Sequence, residues 1–348
     1  MKTILPFELS PTVKTYLNQA YPLGIIEGYY GKSITEDLVC DNYINCLFNR
    51  EDKNLFCQHP EDGWFEKCRL IRKETLMCRE RSKDCLSEAL REVRKRLLSG
   101  QYVFAMPNER YLYKVSYGRS YDFDHECLLY GFDDDEGVYM SAGYIRGQYT
   151  AYKIPYEEYE QAMLHTQSGV VEFLFYTLSK TYIIQEPNIT DIASKLSDYL
   201  NSDIPELSVK TELSLYISSG ILKFGIDVWE ELLLYILRTS SLHTQIDMRY
   251  LRSFVEHKLC MKLRTDKLFE KGYLSDRYFP RAAEVNYIKA QTAMSLAMKY
   301  NLTGDRYDLL RAGQNITEVN KTERTLLKKL INELNGTVKA LANSEAMF

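Results

Sequence analysis

A histidine with acidic neighbours is the residue of this sequence best suited to acid–base chemistry. His125 begins an aromatic and apolar run and is framed by Asp122, Asp124 and Glu126. A carboxylate beside an imidazole holds it in one tautomer and makes it more basic, as general-base catalysis requires. We therefore take His125 as the candidate general base and Asp124 as its candidate orienting carboxylate. The alternative is a solvated loop histidine with no catalytic role.

A nucleophile is favoured in the first turn of a helix, where unpaired N–H groups lower the pKa of a thiol. Cys85 meets this description if Ser82 caps the helix that follows, so we take Cys85 as the candidate nucleophile. Ser33 meets it as a hydroxyl, with helix capping as its alternative role. Cys127 lies two residues from His125 on the same face of a predicted strand. For each of these cysteines the alternative is an inert thiol.

The eight cysteines do not have the spacing of a metal site. Six of them fall within 46 residues, and Cys57, His59, Cys68 and Cys78 are soft ligands close in sequence. No Cys-x-x-Cys pair occurs, whereas structural zinc sites usually use such a pair to set two ligands at tetrahedral angles. We expect no metal, and thiols that act as small buried apolar side chains. Because the sequence also lacks a Gly-x-Gly-x-x-Gly motif and a phosphate-binding loop, we expect no dinucleotide, no ATP and no other cofactor.

Charge limits the classes of partner. The net charge of −4 is too small to favour nucleic acid or an anionic membrane surface as a general partner. Residues 67–96, by contrast, hold eleven basic residues against five acidic ones, a local excess of +6. This stretch suits an acidic partner such as a carrier protein, and a solvated helix face is the alternative.

Hydropathy bears on membrane insertion and on the cellular compartment. The longest apolar stretches, such as residues 232–237 and residues 170–175 around Glu172, are far shorter than the roughly 20 residues that a membrane-spanning helix needs. Residues 1–10 lack the sustained apolar core of a secretory signal. We therefore expect a cytoplasmic protein that does not span a membrane, in a reducing compartment where thiols stay free.

Helices and strands must position these side chains. Ser10-Pro11 predicts a short helix over residues 12–20, and the capping box from Ser33 to Glu36 predicts a second helix over residues 33–47. Apolar residues at helical spacing predict a third helix over residues 82–98, which Gly100 ends.

The period changes to that of strands after Gly100. We predict strands over residues 101–106, 111–115 and 125–132. Residues 133–137 form a hairpin turn, after which residues 138–144 return as the partner strand. A helix then starts at Pro155.

Beyond about residue 165 the pattern is almost wholly helical. The predicted helices cover residues 189–200, 222–239, 248–263, 282–300 and 321–342. A chain of 348 residues with 45% hydrophobic content is long enough for two packed lobes. We predict an α+β domain over residues 1–165 and an all-α domain over residues 166–348.

The histidine strand resembles a known family. From His125 the run His-Glu-Cys-Leu-Leu-Tyr-Gly-Phe-Asp-Asp, followed by a Val-Tyr strand, resembles the strand-turn-strand of papain-like cysteine-peptidase relatives, and specifically the butirosin biosynthesis protein H family. The resemblance covers residues 20–265. It continues in Leu98-Ser-Gly-Gln-Tyr-Val-Phe, Tyr111-Leu-Tyr, Ala142-Gly-Tyr, Ile154-Pro-Tyr-Glu-Glu-Tyr, Asp247-Met-Arg249 and Glu256-His-Lys258.

The resemblance implies a papain-like lobe of the NlpC/P60 type with a small antiparallel sheet, acting in specialised-metabolite biosynthesis of the nonribosomal peptide and antibiotic kind. Such a lobe takes an acyl group from a carrier-protein thioester and passes it to an amine through a Cys nucleophile and a His base. The histidine corresponds to His125. Residues 25–33 contain no cysteine at the expected nucleophile position, and Ser141-Ala-Gly stands where an Asp or Asn would orient the imidazole.

Two interpretations follow from different classes of protein. As an acyltransferase or amide synthase, the protein would use His125 to deprotonate a small amine, with Glu27, Tyr29 and Tyr130 as candidate binding residues. As a degenerate papain-like homologue, it would be a scaffold or a carrier-protein partner without activity. Self-association into a homodimer is compatible with either interpretation.

Overall fold

Strands and helices alternate in the first half of the chain, and long helices dominate the second. The computed structural model describes residues 1–50, 54–56, 70–78, 82–116, 119–181, 186–203 and 221–345. The strands are β1 (Lys2–Ile4), β2 (Leu47–Asn49), β3 (Asn54–Phe56), β4 (Ile71–Cys78), β5 (Tyr102–Ala105), β6 (Cys127–Asp133), β7 (Val138–Ile145), β8 (Gln148–Pro155), β9 (Val171–Leu178) and β10 (Leu222–Phe224). The helices are α1 (Leu17–Tyr30), α2 (Ser33–Asp41), α3 (Lys83–Leu98), α4 (Tyr113–Ser116), α5 (Tyr156–Leu164), α6 (Ile189–Asn201), α7 (Val228–Leu242), α8 (Met248–Glu270), α9 (Tyr278–Thr303) and α10 (Arg306–Glu345).

The chain divides into two units that each combine separate stretches. Unit 1 comprises residues 1–35 and 63–183, and unit 2 comprises residues 36–62 and 184–348. The predicted mixture of α and β with an antiparallel sheet and a C-terminal helical region is confirmed. No helix in the described parts of the chain is long and apolar enough to cross a membrane.

An antiparallel sheet forms the centre of unit 1. Within the described residues its strands follow the order β4-β9-β5-β6-β7-β8, and β1 pairs with the end of β6. Every residue of β6 is buried, because helices cover both faces. Leu86 and Val93 of α3 and Tyr159 of α5 pack on one face, and Tyr21 of α1 meets Phe104 of β5 edge-on at 6.3 Å on the other.

The sheet extends further along the chain than the sequence indicated. We predicted an almost wholly helical pattern beyond residue 165, and this is wrong for residues 171–178, which form β9 between β4 and β5. In β9 only Glu172 and Thr177 are polar, and the neighbouring Phe175 and Tyr176 are both buried, so this short apolar run does not separate a strand from a buried helix segment. The predicted domain boundary at residues 165 and 166 therefore precedes a strand of this sheet.

Two other predicted elements in unit 1 are wrong. Residues 12–16 are not helical, and α1 begins at Leu17, since the Thr12 N–H donates to the carboxylate of Glu27 at 3.2 Å instead of entering a helix. The predicted strand at residues 111–115 is replaced by a 3₁₀ turn over Glu109–Tyr111 and the short helix α4. Asn108 caps that turn by accepting from the Arg110 N–H at 3.1 Å.

Predictions made from helix caps and turns were more accurate than those made from hydrophobic periodicity. Ser82 caps α3 by accepting from the Cys85 N–H at 3.2 Å, and Gly100, with φ +87°, follows the helix as predicted. Helix α2 starts at Ser33 as predicted but ends at Asp41, before Tyr43, whose φ of 56° is left-handed. The hairpin between β6 and β7 and the helix after Pro155 are also confirmed.

Unit 2 is mainly a helical bundle with a small sheet of β10, β2 and β3. The sequence did not predict this sheet, and residues 222–224, expected to be helical, form β10. Trp229, Phe254 and Leu327 are fully buried in the core between the helices. Arg264 of α8 is also fully buried, and its guanidinium donates to the carbonyls of Val39 and Cys40 at the end of α2.

A buried ammonium group lies inside unit 2. The Lys258 side chain is completely buried, and its Nζ is bound to the carboxylate of Glu323, to the Tyr199 hydroxyl at 3.2 Å and to His257 Nδ1 at 3.2 Å. The Tyr199 hydroxyl in turn donates to Glu323 at 3.1 Å and accepts from Trp229 Nε1 at 2.6 Å. All three ammonium protons therefore have an acceptor, which is what a buried charge requires.

His257 belongs to the same network in its neutral form. Burial and the nearby charge of Lys258 lower its pKa well below the usual value. Its Nε2–H donates to the Ile44 carbonyl at 2.8 Å, which leaves Nδ1 free to accept from Lys258. The Glu256-His-Lys258 run noted in the sequence therefore contributes His257 and Lys258 to a buried structural network.

Candidate functional site

His125 forms a hydrogen bond with a buried carboxylate. Its Nδ1 lies 2.7 Å from Oε1 of Glu109, whose side chain is 9% exposed. The other Glu109 oxygen accepts from Arg119 Nη1 at 2.9 Å. Because a carboxylate held by arginine acts as an acceptor, the proton of the neutral imidazole lies on Nδ1.

The second ring nitrogen of His125 is available. The side chain is 37% exposed, and Nε2 forms no hydrogen bond to any residue that the structure describes. Phe123 stacks on the imidazole at a centroid distance of 5.1 Å, and the Arg119 guanidinium lies 4.4 Å from the centroid of the Phe123 ring. The imidazole is thus fixed at one nitrogen and on one face, and its lone pair on Nε2 is accessible to a substrate.

Two chain segments that pair side by side position this group. The His125 N–H donates to the Pro107 carbonyl at 3.1 Å, and the Glu109 N–H donates to the Phe123 carbonyl at 2.8 Å. Between them lies Asn108, which is completely buried. Its side chain accepts from the Phe123 N–H and donates to the His165 carbonyl at 2.7 Å, so it ties both segments to the end of α5.

The acidic residues that frame His125 in the sequence have other partners. Asp124 Oδ2 accepts from the N–H groups of Gln167 and Ser168 at 2.7 and 3.2 Å, so it orients that loop. Asp122 binds Asn108 and Arg110 instead. The carboxylate that accepts from the imidazole is that of Glu109, which lies 16 residues earlier in the chain and was not among the predicted residues.

Glu126 points to the beginning of α1. Its carboxylate accepts from the Asn18 backbone N–H, and burial raises its pKa even though His125 and that N–H act in the opposite direction. The Tyr21 hydroxyl binds the carbonyls of Glu126 and Ala142 at 3.2 and 3.0 Å, which fixes α1 against β6 and β7. The first turn of α1 therefore lies beside the histidine segment, but it carries Asn18 and not a thiol.

The described cysteines do not form a thiol–imidazole pair with His125. Cys127 is buried, its Sγ lies 3.5 Å from Ser141 Oγ, and burial raises its pKa to about 12. Cys85 lies in the first turn of α3 as predicted and is partly exposed, with Cys78 beside it. Burial raises the pKa of Cys78 to about 11, and its contact with Cys85 adds to this.

The predicted binding residues lie away from the imidazole. Glu27 is buried, where it accepts from Thr12 and Thr35, and burial raises its pKa. Tyr29 is 44% exposed and meets Tyr30 edge-on, while Tyr130 stacks on Phe7 at 5.1 Å. None of the three predicted residues has a hydrogen bond or ring contact with His125 in the described part of the chain.

An apolar pocket of unit 1 begins one residue from the segment that holds His125. Its volume is about 140 Å³. It is lined by Met77, Phe104, Ala105, Met106, Met163, Thr166, Ser168, Val170, Val171, Glu172 and Leu174. Met106 precedes Pro107, the residue whose carbonyl accepts from the His125 N–H, so the pocket adjoins the backbone segment that carries His125.

Metal ligands do not cluster in the described ranges. No group of three His, Cys, Asp or Glu side chains there could hold a metal ion. Cys57, His59 and Cys68, three of the soft ligands considered from the sequence, lie outside the described residues.

The residues missed in the sequence carried a weak signal. Pro107-Asn108-Glu109 follows the buried strand β5 after one residue, Met106, and polar residues near a strand end are typical of positions that bind or catalyse. Asn108 also fits the capping preference for a turn. Nothing in the local sequence, however, indicates that Glu109 meets His125, because their pairing depends on the contact between two segments.

We expect the cysteines to differ sharply in alkylation. Between about pH 5 and pH 9 Cys85 should react first among the described cysteines, because it is the partly exposed one. Cys40 and Cys127, whose pKa burial raises to about 12, and Cys78, at about 11, should stay unlabelled in the folded protein. Peptide mass spectrometry with iodoacetamide measures this.

The His125→Asn variant serves as the control for alkylation. We expect the same labelling pattern, since none of the described thiols contacts the imidazole. A cysteine that reacts below about pH 7 in the unmodified protein and loses this reactivity in the variant would reveal a Cys–His pair and contradict the geometry.

Comparison with known proteins does not extend these observations. No protein-family model matches the chain, and a search of the curated proteins finds no match.

Proposed function

We propose that the protein is an acyltransferase that moves an acyl group from a carrier-protein thioester to a small amine, with His125 as general base. The observation that supports this most is the imidazole itself, which Glu109 holds through Nδ1 while Nε2 remains accessible. A general base needs a fixed orientation, the correct tautomer and access to the proton that it removes.

The reaction proceeds by direct aminolysis. The amine nitrogen attacks the thioester carbonyl while Nε2 of His125 accepts the amine proton, and the carbon–sulfur bond then breaks. The protonated imidazole then gives this proton to the departing thiolate, so that the products are an amide and a free thiol. A covalent acyl-enzyme is not needed because a thioester is already activated, and direct aminolysis fits the lack of a thiol beside His125 among the described residues.

The family resemblance supports the same reaction class and a papain-like fold for unit 1. In this proposal α1 corresponds to the helix that carries the family's nucleophile, and its first turn lies beside the segment of His125 because the Asn18 N–H donates to Glu126. From the sequence we expected the nucleophile within residues 25–33, but α1 begins at Leu17 and its first turn carries Asn18. Neither stretch contains a cysteine, so the proposed enzyme has kept the base and lost the thiol.

A carrier protein is the proposed donor. Carrier proteins are acidic partners, and the basic stretch of residues 67–96 supports such docking through α3. Arg96 is already bound to Glu92 and Glu74, so the charge available to a partner is smaller than the sequence count of +6. Arg91 and Lys95, on the exposed side of α3, are the residues that we expect to contact the partner.

The second candidate is a scaffold that binds a carrier protein without catalysis. It is favoured by one observation: the N–H of Asn18 in the first turn of α1 is taken by the Glu126 carboxylate. In a thiol enzyme, this position would stabilise the oxyanion of the intermediate.

A transfer assay separates the two candidates. The full-length protein is incubated with acyl thioesters of N-acetylcysteamine and a panel of primary amines, and amide formation is followed by mass spectrometry. We expect the unmodified protein to form amide above the uncatalysed background. The His125→Asn variant should not. Binding of an acylated carrier protein without any amide or free thiol would support the scaffold.

A further inference from the structure

The mostly apolar pocket next to the segment that carries His125 has the size of a short acyl chain. We propose that it holds the acyl group of the thioester donor, and that this group is a short, uncharged, apolar chain of about six carbon atoms. This inference rests on the proposed acyl transfer and adds the class of donor to it.

The lining of the pocket is mostly apolar and contains flexible side chains. Met77, Met106 and Met163 contribute three flexible thioether side chains, and the other lining residues are apolar except for Thr166, Ser168 and Glu172. Unbranched methionine side chains adapt to ligands of different shape, and they are common at apolar binding surfaces. Because eight of the eleven lining residues are apolar, the wall favours an alkyl or aryl group over a polar one.

The volume of the pocket limits the length of the chain. It encloses about 140 Å³. An apolar cavity of about 150 Å³ in an engineered protein binds benzene, a six-carbon ligand. A hexanoyl or benzoyl group therefore fits, whereas a chain of twelve carbons would leave half of its length in water.

Charge at the opening excludes an acidic tail. Glu172 is exposed and lines the pocket, and the described wall residues include no lysine or arginine. A carboxylate at the far end of the acyl chain would lose its hydration there without gaining a cation, which is costly. The pocket thus favours monocarboxylic over dicarboxylic acyl groups.

The path of the chain connects the pocket with the base. Asp124 binds the N–H groups of Gln167 and Ser168, and Ser168 is part of the pocket wall. On the other side, Met106 of the wall adjoins Pro107, which binds the His125 backbone. An acyl chain in the pocket would place its carbonyl at the mouth, next to the segment that carries the imidazole.

Methionine methyl signals test this site directly. The full-length protein, with all ten methionines labelled with ¹³C at the methyl group, is titrated with N-acetyl-N′-hexanoyl-ethylenediamine, the unreactive amide analogue of the thioester. We expect the signals of Met77, Met106 and Met163 to shift with saturation. The adipoyl and dodecanoyl analogues should bind at least about tenfold more weakly.

A filled pocket provides the matched variant. Val170 is 38% exposed and lines the pocket, so Val170→Trp should fill it without disturbing the core and weaken hexanoyl binding at least about tenfold. Val285→Trp, at a position of unit 2 that is 51% exposed, is the control and should bind as before.

The outcomes separate this inference from the proposed function. Methyl shifts at the three methionines without any acyl transfer would retain the pocket and remove the transferase. Acyl transfer with shifts elsewhere, or with no shifts, would overturn the pocket and retain the transferase. Equal binding of the hexanoyl and adipoyl analogues would also overturn the inferred chain chemistry.

Discussion

Replacing His125 by asparagine is expected to lower the rate of acyl transfer by about 10²- to 10⁴-fold, the range that a general base contributes. The variant loses the Nε2 lone pair, while its shorter side chain fits the same partly exposed position. The rate is measured with saturating thioester and amine, so that the change appears in kcat. The binding of the hexanoyl amide analogue should not change, because the pocket lining does not include His125.

Two further variants refine this expectation. Glu109→Gln should give an intermediate loss of about tenfold or more, because an amide can donate to Nδ1 and so stabilise the wrong tautomer. His243→Asn is the matched control, since His243 is an exposed residue of unit 2 at a φ of 54°, where asparagine is well tolerated. A His125→Asn rate equal to that of the control would contradict the general-base role.

Removing the buried ammonium group should cause the largest loss of stability. Lys258→Met leaves the Glu323 carboxylate buried without its cation, and we expect the free energy of unfolding to fall by about 3–5 kcal/mol. Urea unfolding, followed by Trp229 fluorescence in a Trp64→Phe background, reports on this directly because Trp229 contacts the network.

Replacing both partners distinguishes a buried ion pair from simple packing. In Lys258→Met/Glu323→Leu neither member of the ion pair remains, so part of the lost stability should return. The Tyr199 hydroxyl and His257 Nδ1 lose buried partners, which costs about 1–3 kcal/mol. Lys289→Met is the control, as Lys289 binds Glu318 at 2.6 Å at a partly exposed position, where the expected loss is about 1 kcal/mol or less. Equal losses for Lys258→Met and Lys289→Met would contradict this account.

Local signals in the sequence were sufficient where the structure depends on neighbours in the chain. Ser82 caps α3 and Gly100 follows it, because capping involves residues within one turn. The turn between β6 and β7 was predicted for the same reason. Strand β9 was not, because its partner strands β4 and β5 lie far from it in the chain, and a short apolar run does not show that pairing.

The candidate site shows the same limit. His125 could be selected from its residue type and its acidic surroundings, yet the carboxylate that holds it comes from Glu109, on a separate segment. Adjacent residues such as Asp124 and Glu126 turn toward other partners, since successive side chains of an extended chain alternate in direction. The pocket was also not predictable, because it combines the ends of three strands with the loop after α5.

The protonation of the His125 ring is the most direct test of the central claim, that Nε2 is a free base. A long-range ¹H–¹⁵N correlation spectrum of ¹⁵N-labelled protein, recorded where the ring is neutral, identifies the tautomer, and the His125→Asn variant assigns the signal among the five histidines. We expect a protonated Nδ1 bound to Glu109 and an unprotonated Nε2. A ring protonated at Nε2 would show that Glu109 does not orient it, and it would contradict His125 as the base.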